Sequence, residues 1–486
     1  MKKILAAILV LAALGASIVL VNAWRTKPGP VFAEPGVAIS VDESRAAEHL
    51  SRSVQIQTIS HQDPAQFNGK EFLAFHEYLR STFPKMHQAL TRETAANYSL
   101  LYTWKGKNPE EKPLLLMAHM DVVPVIQGTE DNWRYPAFAG RIAEGFIWGR
   151  GTLDDKVSLL AICEAVERLV SDGFQPGPTI YLAFAHDEEV GGSGSRAIVS
   201  LLKSRGVRLG CVLDESGSIF EGTISGVKKP VAMVGIAEKG YLSVELSAES
   251  EGGHAAMPLP HTTIGVLASA IHRLEKNQFP ARLSGVTRQM FSSLAPAMPF
   301  KYRLLFANLW LFHPLLIREL EKSPETAASI RTTTAATIFQ AGVKEKVLPN
   351  KARAVVNFRL LPGDSISYVL NRIQKTINDP EVKVIALPNS SEPSPVSDVR
   401  SASYKTLQKT ILQVFPEVMV APYLVLGATD SRHYVGVSES IFKFLPTRLK
   451  PEDLKREHGV NERVGVKNYG EIIKFFIQFI ENFGRV

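Results

Sequence analysis

Thiol chemistry has little footing in this chain, because only Cys163 and Cys211 occur among its 486 residues. No Cys-x-x-Cys pair exists, which excludes cysteine-built zinc sites and dithiol redox sites. Both cysteines sit in apolar runs, so two buried, unpaired thiols are expected. Gly-x-Ser-x-Gly is also absent, which excludes a serine-hydrolase nucleophile elbow. The Gly191-Gly-Ser-Gly-Ser195 segment has no Lys-Ser/Thr after it, so it reads as a turn and helix cap, not a phosphate loop. The net charge of +7 comes from scattered Lys and Arg without a basic block. That pattern excludes a nucleic-acid partner. Internal repeats and low-complexity tracts are missing, and the length calls for two or more domains.

The chain begins with a leader. Lys2 and Lys3 precede an apolar run from Ile4 to Trp24, the pattern of an export signal. Two outcomes are open: cleavage after Val21-Asn22-Ala23, or retention of residues 1–24 as an anchor, since about 20 apolar residues span a bilayer. Both put the body outside the cytoplasm. Residues 25–40, with Pro28, Pro30 and Pro35, read as a linker.

Beyond residue 41, helices alternate with short apolar strands. Helices are expected at 66–83, Asp155–Asp172 and Ala197–Arg205, and strands at Leu114–Ala118, Thr179–Ala185 and Val207–Leu213. Such alternation implies an α/β catalytic domain built on a mostly parallel sheet covered on both faces. Near residue 238 the pattern shifts to apolar–polar alternation at Tyr241–Ala248. A helix at 262–276, strands at Thr333–Phe339 and Ala352–Arg359, a helix at 365–378 and a strand at Val382–Ala386 complete a small α+β unit. The expected organisation is a catalytic domain over 41–237 and 393–486 interrupted by an insert over 238–392. The last part should supply a helix at 402–414, a strand at 440–445 and a helix at 468–482. Residues 290–320 are apolar without clean alternation. They read as packing within the insert, or as a wall for an apolar substrate tail or a membrane-touching surface.

Five motifs carry the chemistry. Leu114-Leu-Leu-Met-Ala-His119-Met-Asp121 ends a buried strand in a His and an Asp two residues apart. Positions i and i+2 of an extended chain share a face, so Asp121 can fix the tautomer of a ligating His119. Gly149-Arg-Gly-Thr-Leu-Asp154-Asp155 places two acids before a helix, where they serve either as an N-cap or as a bridge between cations. His186-Asp187-Glu188-Glu189 crowds acids at a strand end, costly unless solvent or a metal offsets their repulsion. Val212-Leu-Asp214-Glu215 and Glu457-His458-Gly-Val-Asn461-Glu462 add a further acid and a His. Together His119, Asp154, Glu189, Asp214 and His458 fall near the carboxyl edge of one parallel sheet, where open α/β folds place ligands. Imidazole and carboxylate donors suit zinc, with cobalt or manganese as substitutes. Three carboxylates overcompensate one divalent ion but leave two slightly positive, so two ions are expected, with Asp154 shared.

In this order the motifs resemble the co-catalytic zinc peptidase family that includes aminoacylase, carnosinase, carboxypeptidase S and succinyl-diaminopimelate desuccinylase. The resemblance covers about residues 45–486. Trp148-Gly-Arg-Gly-Thr-Leu-Asp-Asp-Lys156, Gly427-Ala-Thr-Asp-Ser-Arg432-His433-Tyr and Glu457-His-Gly-Val-Asn-Glu462 are most similar to the branch of carboxypeptidase S and secreted N-acyl-amino-acid hydrolases. The resemblance implies metal ligands at His119, Asp154, Glu189, Asp214 and His458. It implies Glu188 as the general base that passes a proton to the leaving nitrogen, with Asp121 orienting His119. It makes His254, in Gly252-Gly-His-Ala-Ala-Met-Pro258, a stabiliser of the oxyanion. The insert becomes a lid and a homodimerisation surface, so that His254 acts after closure or across a subunit boundary. His433 competes with His458 as the terminal ligand. Arg432, Arg359 and Asn350 become candidates for gripping a substrate carboxylate, a task that suits Arg; a surface ion pair is the alternative for Arg432. The expected reaction is hydrolysis of a small peptide or N-acyl amino acid with a free C-terminal carboxylate. Aminopeptidase or dedicated deacylase chemistry, and a metal-free binding protein, are the rivals.

Overall fold

The computed structural model describes residues 1–26, 38–224 and 226–485. Most of the expected linker therefore lies outside the described residues. The main sheet is mixed at its edges and parallel at its centre. From edge to edge its strands are Thr91–Ala95, Ser99–Trp104, Ile180–Ala185, Leu114–His119, Cys211–Asp214, Ile441–Lys443, Val231–Glu238, Ile219–Phe220 and Arg448–Leu449. Met419–Val425 pairs in parallel with Val231–Glu238. Leu114–His119 runs parallel to both neighbours, with His119 opposite Ala185 and Leu116 opposite Leu213. Its six residues are all buried, as are those of Ile180–Ala185. Such strands are continuous apolar runs because helices cover both faces. Helices Lys156–Ser171 and Val466–Gly484 supply much of that cover, packing Val157, Leu160, Ile473 and Phe476 into the central core. Cys163 and Cys211 are free and buried in that core.

A second, antiparallel sheet orders Thr333–Ala341, Lys351–Leu360, Gly240–Glu249 and Val382–Ala386. It has its own apolar cluster, in which Leu242, Val244 and Val356 meet Leu267 and Ile373 of helices Thr263–Lys276 and Ile366–Ile377. The strand Val231–Glu238 belongs to the main sheet and Gly240–Glu249 to the second, so the chain passes between sheets at Lys239.

Residues 290–320 are helical: Gly285–Leu294, Phe300–Ala307 and Leu309–Leu320, the last containing Pro314. Their packing differs from the expectation of an insert-only contact. Leu294 and Met298 pack on Val231, Met233 and Ala421, strand residues of the main sheet. The helix Gly285–Leu294 buries Val286, Thr287, Phe291 and Leu294, one stripe at helical spacing, with Leu294 against the sheet and Phe291 against Leu316 and Leu320.

Candidate metal centre

Three parallel strands deliver the acids and imidazole to one edge. Leu114–His119 ends on His119, Ile180–Ala185 is followed by Glu188 and Glu189, and Cys211–Asp214 by Glu215. Two loops complete the ring. Asp154 precedes the helix Lys156–Ser171, and His458 precedes the short strand Arg463–Gly465. That strand pairs with Phe146–Trp148, Arg463 opposite Trp148, which brings the two loops together.

The centre is two mirrored halves around one carboxylate. Asp154 Oδ1 lies 2.8 Å from His119 Nε2, and Asp154 Oδ2 lies 2.8 Å from His458 Nε2. Glu215 Oε1 stands 3.4 Å from His119 Nε2, and Glu189 Oε1 stands 3.1 Å from His458 Nε2. Each half thus has one imidazole, one Glu and one oxygen of Asp154. The donor atoms of His119, Asp154 and Glu189 lie within 4.8 Å of one another, as do those of His119, Asp155 and Glu215. Imidazole and carboxylate donors gathered in this way could hold a divalent metal ion.

The electrostatics of the ring favour positive charge among its carboxylates. Burial raises the carboxyl pKa values of Glu189 and Glu215. Burial also opposes charge on His119, yet the Glu215 carboxylate and hydrogen bonds with Asp121 and Asp154 hold that imidazole well above its ordinary range. Hydrogen bonds with Asp154 and Glu189 push His458 up to about 11. Burial works against the charge of Asp154, but the two imidazoles keep it below the usual carboxylate range. Metal binding at these residues requires neutral imidazoles and would release any proton they carry.

Asp214 is not part of either half. Its carboxylate accepts the backbone N–H of Ser431 at 3.0 Å and of Glu215 at 3.0 Å. Successive residues of a strand point to opposite sides, so Asp214 turns inward and Glu215 turns to His119. The Asp-Glu dipeptide was visible in the sequence; which of the pair faces the edge was not. Asp155 accepts the His119 backbone N–H at 3.2 Å and the Ser158 hydroxyl, at the N-cap position of its helix.

Asp121 departs from expectation in detail. His119 Nδ1 is 2.9 Å from the Asp121 backbone carbonyl and 3.3 Å from Oδ1. The Asp121 carboxylate also accepts the N–H groups of Glu188 and Glu189, each at 3.1 Å. One residue therefore holds the imidazole by its carbonyl and carboxylate and the Glu188–Glu189 turn by its side chain. Asp187 caps the next helix, accepting from Ser193 and Gly194. Glu188 lines the cleft; burial raises its carboxyl pKa well above the ordinary value, and the charge of Asp430 adds to this.

The cleft over the centre has a volume of about 1480 Å³. Arg359, Arg432, Tyr241 and His433 line it. The Arg359 guanidinium lies 4.9 Å from the Tyr241 ring centroid, and Arg432 donates to the Thr429 carbonyl at 2.9 Å. His433 contacts Asp430 at 3.8 Å and makes no contact with Asp154 or Glu189, the place His458 takes. His254 and Asn350 do not line the cleft; both are exposed. His254 pairs with Val347 across a two-residue ladder, and its Nδ1 accepts the Ala256 N–H at 3.0 Å. Glu457, a cleft carboxyl, and Asp430, buried behind the cleft lining, are groups that sequence reasoning passed over, although both lie within the quoted motifs; burial pushes each up to about 7.

A buried ion pair fastens the two loops. Arg150 Nη1 lies 2.5 Å from Glu462 Oε2, both side chains almost fully buried. Arg150 also donates to the carbonyls of His458 and Gly459, and Glu462 accepts the N–H groups of Gly151, Leu153 and Asp154. Arg150→Met leaves a buried carboxylate unpaired and is expected to cost about 3–5 kcal/mol. A thermal midpoint within a degree or two of the native protein would contradict this.

Known proteins are similar to this chain over most of its length. The model of peptidase family M20/M25/M40 matches residues 115–482. A probable carboxypeptidase S-like 2 of Dictyostelium discoideum is 43% identical over 91% of this chain and 86% of its own. The N-fatty-acyl-amino acid synthase/hydrolase PM20D1 of Mus musculus is 40% identical over 91% and 88%, and carboxypeptidase S of Saccharomyces cerevisiae 33% identical over 90% and 83%. Among solved structures, the M20 family metallo-carboxypeptidase Sso-CP2 of Sulfolobus solfataricus superposes with a TM-score of 0.66 at 18% identity, covering 92% of this chain and all of that one. The family match spans the residues that bring both halves of the centre together, and with these relatives it shows that the chain belongs to the metal-dependent peptidase family M20/M25/M40.

Proposed function

We propose that this chain is a two-zinc amidohydrolase of small peptides or N-acyl amino acids that carry a free α-carboxylate. The observation that carries the reading is Asp154, whose two oxygens each lie 2.8 Å from a different imidazole at the floor of a cleft. His119, Asp154 and Glu215 would hold one ion, and His458, Asp154 and Glu189 the other. Zinc suits these donors best, with cobalt or manganese able to substitute. When bound, the pair supplies Lewis-acid polarisation of the scissile carbonyl and a more acidic attacking water.

The chain's own residues do the rest. Glu188, buried beside the centre, takes a proton from the attacking water and delivers it to the leaving nitrogen. Asp121 keeps Glu188 and His119 in mutual register. Arg359 and Arg432, facing one cleft, bind the substrate carboxylate. His254 and Asn350 belong to the insert over 238–392, which we read as a lid and homodimer surface; closure or a second subunit would bring His254 to the oxyanion. The names of the relatives support both peptide and N-fatty-acyl substrates. Phe220, Tyr423, Leu445, Leu449 and Leu454 give the cleft an apolar stretch suited to an acyl tail.

The test compares an N-acyl amino acid with its C-terminal amide. Losing one charge-assisted contact should slow the amide about 10–100-fold. Arg432→Gln and Arg359→Gln should raise KM for the acid and leave the amide unaffected. Equal rates on acid and amide would sink carboxylate recognition. A requirement for a free α-amine would favour an aminopeptidase. Rates that do not rise with acyl length would reduce the apolar wall to packing. The leader further supports export of the enzyme, either membrane-anchored or released.

A further inference from the structure

The helix Lys2–Arg25 is long and apolar enough to cross a membrane, with a mean hydropathy of 2.9 over its best window and little of it buried. Its last turns are not free of the body. Val19 and Ala23 are buried. Asn22 donates to the side-chain carbonyl of Asn308 at 2.9 Å, and the Asn308 amide donates to the Val19 carbonyl at 3.0 Å. Asn308 is fully buried under these turns and also donates to the Leu304 carbonyl at 2.9 Å, so the helix and the body meet in a closed polar contact.

Asn308 joins the helices Phe300–Ala307 and Leu309–Leu320. Their free face is apolar. Phe300 is 45% exposed, Trp310 67%, Leu311 48% and Leu315 54%, with exposed Pro314 between the last two. Lys301 and Arg318 flank the patch and are exposed. Aromatic, aliphatic and basic residues in that arrangement suit the headgroup boundary of a bilayer. Depth agrees. Val19 stands about 26 Å along the helix axis from Lys2 at 1.5 Å per residue, close to the far boundary of a hydrocarbon core about 30 Å thick.

We propose that the free face of Phe300–Leu320 sits in the bilayer interface beside the N-terminal helix. The inference rests on the reading that this helix is retained as an anchor. The seat has a consequence for the cleft. Tyr302 and Phe306 pack in one apolar cluster with Phe220 and Tyr423, which also line the cleft. The apolar wall of the site thus backs onto the lipid, the phase in which a long acyl tail resides.

The test uses the full chain in nanodiscs of phosphatidylcholine and phosphatidylglycerol. Leu311→Cys and Leu315→Cys each carry an environment-sensitive fluorophore; Cys163 and Cys211 are buried and stay unlabelled. Val343→Cys, at a position 96% exposed in the second-sheet unit, is the reference. Nitroxide-bearing lipid should quench the 311 and 315 probes severalfold more than the 343 probe, and aqueous iodide should show the reverse order. Iodide quenching equal at all three positions overturns the seat. Probes shielded from iodide but unquenched by lipid also overturn it, since a second copy would then cover the face. Intact mass on the same sample separates the two readings: a chain shortened by the leader refutes the anchor, whereas a full-length chain with wet probes refutes the seat alone.

Discussion

Glu188→Gln is expected to lower kcat about 10²–10⁴-fold, the span of a lost general acid–base group. Bound metal should be unchanged, because Glu188 belongs to neither half of the centre. The substitution keeps the size of the side chain and removes its ability to hold a proton. The turn itself should stay in place, since Asp121 grips the backbone N–H groups of Glu188 and Glu189, not their side chains. Burial, and then the charge of Asp430, raise the Glu188 carboxyl above its ordinary range. A base tuned upward is a better proton acceptor and, once protonated, still a competent donor to the leaving nitrogen. KM for an N-acyl amino acid should move little. A variant that keeps more than about a tenth of native kcat with its metal in place would remove Glu188 from the role of general base.

Asp154→Asn should be more damaging to the centre than loss of any other single donor, because one side chain serves both halves. An amide matches the carboxylate in shape but brings no charge, and it offers only one oxygen to two imidazoles. Metal content should fall at both positions. The activity loss should exceed the roughly 10–100-fold typical of disturbing a residue behind the ligands. His458→Ala touches one half only and should leave the His119–Glu215 half able to bind. Paired metal analysis and rate measurement on the two variants checks this. If Asp154→Asn and His458→Ala lose the same share of metal, the shared-carboxylate geometry is wrong.

Much of this was legible because a parallel sheet writes itself plainly. Leu114–His119 and Ile180–Ala185 are buried on both faces, so each is a bare apolar run that ends abruptly in His or acid. The helices Lys156–Ser171 and Ala402–Val414 likewise follow their apolar spacing to within a residue or two. What escaped depends on contacts far along the chain. Val231–Glu238 is as apolar as other central strands, but its partners, Met419–Val425 and Ile219–Phe220, lie outside its local pattern. The helices of 285–320 hid because their apolar residues serve three clusters and an exposed face, which blurs any single stripe. In the centre, Asp214 and Glu215 are neighbours, and only the pleat of the strand end decides which reaches His119. The clamp of Arg150 on Glu462 spans more than 300 residues of sequence and has no local signature.

The most direct test is metal content measured against activity on one sample. The chain is stripped with a chelator and zinc is returned in steps. Two ions per chain should bind, with hydrolysis of an N-acyl amino acid rising as the second site fills, and Asp154→Asn should bind fewer and stay inactive. Full activity with no bound metal, or saturation at one ion unaffected by Asp154→Asn, would contradict a centre shared around Asp154.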